Sequence, residues 1–89
     1  MTEREVQIVN RLGLHARAAA KLVHTAGGFQ SRVTIHRDGE EVDAKSILGL
    51  LLLAAGQGSR VTVRCEGEDE EQAMRAVTQL IADRFDEES

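Results

Sequence analysis

Four short runs of this chain alternate apolar with polar side chains, and that alternation restricts the fold more than any other feature. In the first, Val6 and Ile8 alternate with Glu5 and Gln7, which predicts a strand over about Arg4 to Val9. In the second, Ser31 to Arg37, Val33 and Ile35 point one way and Arg32, Thr34 and His36 the other. Asp38-Gly39 is a strong hairpin signal, so Glu40 to Asp43, around Val42, returns beside that strand. The fourth run, Arg60 to Cys65, sets Val61, Val63 and Cys65 on one face. Strands of this kind are dry on one side and wet on the other, the habit of antiparallel sheets.

Helices must supply the dry side. Behind His15 comes Ala16-Arg17-Ala18-Ala19-Ala20-Lys21, a run of strong helix formers, which predicts a helix from Ala16 to about Ala26. Ala19, Leu22, Val23 and Ala26 share its apolar face, and Gly27-Gly28 ends it. Ser46 is an N-cap candidate for a short helix starting at Ile47. That helix is apolar around its whole circumference, so some of Ile47, Leu48, Leu51 and Leu52 are expected to face water or a partner. The bland alternative is full burial, or a central strand. Gly56-Gln57-Gly58 breaks the chain before the last strand. Asp69, three residues before Gln72, resembles a capping box, and a closing helix follows over about Glu70 to Phe85. It carries Ala73, Val77, Leu80 and Ile81 in one stripe, with Met74 and Phe85 beside it. The order strand, helix, strand, strand, helix, strand, helix is that of an α+β open-faced sandwich: a four-stranded antiparallel sheet with three helices on one face.

The chemistry concentrates at His15. A helix mouth offers backbone amides without intrahelical partners and the positive end of the dipole, which favours anions. The same potential disfavours imidazolium, so His15 is expected uncharged, with a lone pair free for nucleophilic attack. Arg17 adds a planar fork of donors suited to phosphate oxygens. A lone histidine at a helix start is also commonly a plain surface residue or a cap, and the local pattern leaves that open.

Bulk properties exclude several classes. The 89 residues are read as one small domain, 1–89, large enough for a core without metal or disulfide support. The formal charge is −4, and two Phe with no Trp or Tyr leave no stacking platform, which argues against nucleic acid. The single Cys65 suits a reducing compartment. Met1 to Glu5 holds no apolar signal core, and the longest apolar run, Ile47 to Ala55, is too short to cross a bilayer, so the cytosol is the expected address and no membrane partner is expected. His24 and His36 lack metal-ligand spacing and are read as solvated; no metal site is expected. The acidic tail from Asp86 to Ser89 is expected to fray.

Gly13-Leu14-His15-Ala16-Arg17 and Ala19-Ala20-Lys21, followed by Lys45-Ser46, resemble the two signatures of HPr, the histidine-containing phosphocarrier of the phosphoenolpyruvate-dependent phosphotransferase system. The resemblance covers essentially the whole chain, element order included. It implies that His15 accepts a phosphoryl group on Nδ1 from Enzyme I and passes it to an enzyme IIA-type acceptor, with Arg17 supporting the phosphate and no cofactor. It implies that Ser46 matches the serine modified by HPr kinase/phosphorylase in some bacteria. Docking is expected on Ala20, Lys21, His24, Ile47, Leu48, Leu51 and Leu52, and a monomer is the expected state. Ala18 stands where many sugar-pathway members have proline; alanine is equally comfortable in a first helical turn. With the ending Phe85-Asp86-Glu87, this form looks closer to the nitrogen-related NPr branch than to the carbohydrate branch. Two other classes remain as alternatives: a regulatory binding module acting through Ser46 and the Ile47–Leu52 patch with His15 idle, and, remotely, a metal-binding domain using His15, His24 and His36.

Overall fold

The computed structural model describes all 89 residues. Strand β1 covers Thr2–Gln7, helix α1 Ala16–Gly27, β2 Arg32–Arg37, β3 Glu40–Asp43, α2 Ile47–Leu52, β4 Arg60–Glu66 and α3 Glu70–Ala82, followed by a 3₁₀ turn at Arg84–Asp86. The strands form one antiparallel sheet in the order β1-β4-β2-β3. Register follows the alternation: Val33 opposes Cys65, and Ile35 opposes both Val63 and Val42. Helix α3 lies over β1 and β4, α1 packs on α2 and α3, and α2 rests on β3. The open-faced α+β sandwich expected from the alternation is the fold observed.

One cluster of 20 buried side chains joins the layers, Leu22, Val33, Ile35, Leu50, Val61, Val63, Met74, Val77 and Ile81 among them. Each large apolar side chain so buried contributes roughly 1.5–3 kcal/mol. Cys65 sits in this cluster, and burial pushes its thiol pKa up, which makes it an inert packing residue. The opposite face is a lattice of charges: Arg64 meets Glu3 at 3.2 Å and Glu41 at 3.7 Å, and His36 Nε2 meets Glu41 at 2.8 Å. Exposed pairs like these contribute at most about 1 kcal/mol each. Thr34, expected on the wet face, is nonetheless buried, because Arg32, Glu41 and Arg64 close over it.

Two element boundaries and one cap depart from expectation. The β1 ladder begins and ends two residues early; Ile8 keeps its pairing outside the ladder, donating to the Ser59 carbonyl and accepting from Gly58, both at 2.8 Å. The Asp69 capping box does not form. Its carboxylate turns instead to the loop before β2, accepting from the Gln30 and Ser31 amides at 2.9 Å each and from the Ser31 hydroxyl, which together outweigh one helix-end amide. Helix α3 stops at Ala82 rather than Phe85. Arg84, Phe85 and Asp86 take left-handed backbone angles, φ 59, 53 and 64°. Each costs on the order of 1–2 kcal/mol for a residue with a Cβ. The turn buries the Phe85 ring completely, and Lys21 Nζ donates to the Phe85 carbonyl at 2.7 Å.

Candidate functional site

The loop before α1 is built to place one side chain. Gly13 has φ +66°, and a Cβ there would stand 2.6 Å from the Ala55 carbonyl oxygen, so only glycine fits. That same carbonyl accepts from the Leu14 amide at 2.9 Å, and the Leu14 side chain is buried. Asn10, fully buried, donates from Nδ2 to the Gly13 carbonyl at 2.8 Å. The loop is thus pinned on both sides immediately before His15.

His15 is the N-cap of α1, with extended backbone angles, and its carbonyl accepts from Ala19 at 2.8 Å. Its side chain caps nothing and is 26 % exposed. No acidic residue lies in the first turn of α1, so the helix mouth keeps its positive character. The ring instead touches a residue from the far end of the chain: Nε2 meets Glu87 Oε2. Glu87 Oε1 accepts from Asn10 Nδ2 at 2.9 Å. The Asn10 amide, followed by the His15 contact, holds the Glu87 carboxyl below the usual carboxylate range. The ring thus faces a carboxylate at Nε2 as well as the helix mouth. Arg17 is exposed beside it, and His15, Arg17, Arg11, Leu12 and Glu87 line one open cleft of about 530 Å³.

The remaining expected residues lie outside that cleft. Ser46 is the N-cap of α2, its Oγ accepting from Gly49 at 3.1 Å. Ile47, Leu48, Leu51 and Leu52 are all exposed, Leu48 and Leu52 by about two-thirds, while Leu50 and Leu53 enter the core. Ala20 and His24 are exposed on α1. They line a second shallow groove with Arg17, Lys21 and Leu80. Lys21 is half-buried and tied to the 3₁₀ turn. His15, His24 and His36 do not come together, and no three His, Cys, Asp or Glu side chains cluster as metal ligands do.

The family model described as "PTS HPr component phosphorylation site" matches residues 2–83. The chain belongs to the HPr family. The phosphocarrier protein HPr of Xylella fastidiosa is 53 % identical over 89 residues, with both chains covered completely. The phosphocarrier protein NPr of Shewanella violacea is 44 % identical over 87 residues, covering 98 % of this chain and 96 % of that one. A crystal structure of HPr-C-His from Thermoanaerobacter tengcongensis superposes with a TM-score of 0.96 at 44 % identity, covering both chains completely. The protein is accordingly a phosphocarrier of the phosphotransferase system.

Two features of this HPr site escape its linear pattern. Leu12, 65 % exposed, adds an apolar wall beside His15. The tail expected to fray is instead tied down: Phe85 is buried, Glu87 reaches His15 and Asn10, and the Arg11 amide donates to the Ser89 carbonyl at 2.9 Å. The usable signal was an aromatic residue, Phe85, set directly before the acidic run.

Proposed function

We propose that this HPr carries its phosphoryl group on His15, taken from Enzyme I with phosphoenolpyruvate as the original donor and handed to an enzyme IIA-type protein. The carrying observation is a part-exposed imidazole at the mouth of α1, in one cleft with the unpaired guanidinium of Arg17. Donor and acceptor rings meet in line, so positioning supplies most of the rate. Arg17 and the first amides of α1 offset the charge on the moving phosphoryl oxygens. The cleft is open and does not clamp, as a carrier that must load and unload requires. The chain needs no cofactor or metal of its own in this reading and works as a monomer in the cytoplasm.

Ala20, Lys21, His24 and the exposed Ile47, Leu48, Leu51 and Leu52 form the docking surface in this reading. Ser46 lies at its edge. Phosphate there adds about −1.5 to −2 charge at a helix N-terminus, which leaves α2 folded and weakens docking by acidic partners. An HPr kinase/phosphorylase would supply that regulation.

The nitrogen-related branch is favoured by Ala18 and the ending Phe85-Asp86-Glu87; the carbohydrate branch by the higher identity to the Xylella HPr than to the Shewanella NPr. Offering the phosphorylated protein a nitrogen-type and a sugar-type enzyme IIA separates them, since the matching acceptor takes the label faster. The exposed α2 patch also suits a regulatory module in which His15 is idle. Incubation with Enzyme I and phosphoenolpyruvate decides between relay and module. The relay gives acid-labile, alkali-stable phosphate that His15→Ala abolishes; a chain that no Enzyme I labels is a module.

A further inference from the structure

Glu87 is held at the site by more than its contact with His15. Its Oε1 accepts from Asn10 Nδ2 at 2.9 Å, and the same amide donates to the Gly13 carbonyl at 2.8 Å. Upstream the chain is anchored by the buried Phe85 ring, downstream by the Arg11 amide on the Ser89 carbonyl at 2.9 Å. An ionised carboxylate has no hydrogen to give, so its contact with Nε2 requires the hydrogen to sit on that nitrogen. A neutral ring so held keeps its lone pair on Nδ1.

We propose that Glu87 is a positioning residue for phosphoryl transfer: seated by Asn10, it fixes the His15 hydrogen on Nε2 and balances the charge the ring gains when Nδ1 takes the phosphoryl group. This rests on the reading of His15 as acceptor. In the step, the Nδ1 lone pair attacks phosphorus and a P–N bond forms. The donor's own P–N bond breaks, its electron pair returning to the donor imidazole. Nε2 keeps its proton throughout, so the ring gains one positive charge, and the Glu87 carboxylate faces it. On unloading the charge disappears with the phosphoryl group. Duties in the cleft divide by sign: Arg17 serves the phosphoryl oxygens, Glu87 serves the ring. A carboxylate orients and supports the histidine of serine hydrolases in the same way.

The test compares wild type, Glu87→Ala and Glu87→Gln, with histidine labelled by ¹⁵N and the ring neutral, alongside single-turnover phosphorylation by Enzyme I and phosphoenolpyruvate. Wild type should show a slowly exchanging Nε2–H resonance and a bare Nδ1. Glu87→Ala should lose that resonance and load roughly tenfold more slowly, far less than the ~10⁴-fold effect in a hydrolase, because this cleft is open to water. Glu87→Gln, with one acceptor oxygen for two donors, should fall between. Wild-type ring resonances and rate in Glu87→Ala would overturn the proposal, as would a slower rate with the ring resonances unchanged. A wild type that takes no phosphoryl group overturns the acceptor reading itself.

Discussion

Single residues divide the work of the cleft, with the exposed Arg17 guanidinium beside the part-exposed His15 ring and the Glu87 carboxylate against Nε2. His15 and Arg17 stand two positions apart in front of an alanine-rich helix, so their shared cleft follows from sequence neighbourhood. Glu87 is 72 residues from His15 and joins it only because Phe85 turns the tail back; the aromatic residue before the acidic run marks an anchored tail but does not name its partner. Asp69 shows the same limit, since its partners Gln30 and Ser31 come from a distant loop. Replacing Arg17 with alanine should slow phosphoryl transfer about tenfold to a hundredfold, below what loss of a fully enclosed transition-state donor costs. Its thermal midpoint should stay near that of wild type, because the side chain is exposed and in none of the chain's ion pairs. Transfer kinetics and a melting curve check the two halves separately. Asp69 carries the pH prediction. The Ser31 hydroxyl, then the Gln30 amide, hold its carboxyl below the usual range in the folded chain. Its stabilisation is therefore fully present above the unfolded value of about 3.9 and is lost as pH falls through the lower folded value. The wild-type lead over Asp69→Asn in urea midpoint should be full at neutral pH and should shrink steadily as pH is lowered below about 3.9.

Among elements, alternation and helical spacing were enough to order every strand and helix, because one face of each must be dry. Boundaries were less legible where tertiary contacts overrode local preference. The end of α3 is the clearest case: nothing in Asp83 to Asp86 announces three left-handed residues, and only burial of Phe85 accounts for them. Helix α2 offers the sharpest test at this scale, since its faces are chemically alike and differ only in what they meet. Leu50→Ala, in the core, should cost about 2–5 kcal/mol in denaturant unfolding. Leu48→Asp, on the exposed side, should leave the fold intact and weaken docking to Enzyme I by roughly 30-fold or more, as loss of an apolar hot spot does. Gross unfolding of Leu48→Asp would show the leucine to be a core residue. Calorimetry of the folded variants against Enzyme I reads the docking loss directly.

For the molecule as a whole, the open-faced sandwich separates stability from chemistry. The sheet and the inner faces of α1 and α3 hold the core, while the β1–α1 loop and the returning tail build a cleft at one edge that is free to meet other proteins. In the proposed function this cleft carries phosphorus on one ring nitrogen. Phosphorylating the ¹⁵N-labelled chain with Enzyme I and phosphoenolpyruvate, then locating the phosphorus by NMR, tests it most directly. The account predicts one phosphoryl group per chain, on His15 Nδ1. Phosphorus on His24, His36 or Ser46, or a chain that stays unphosphorylated, would contradict it.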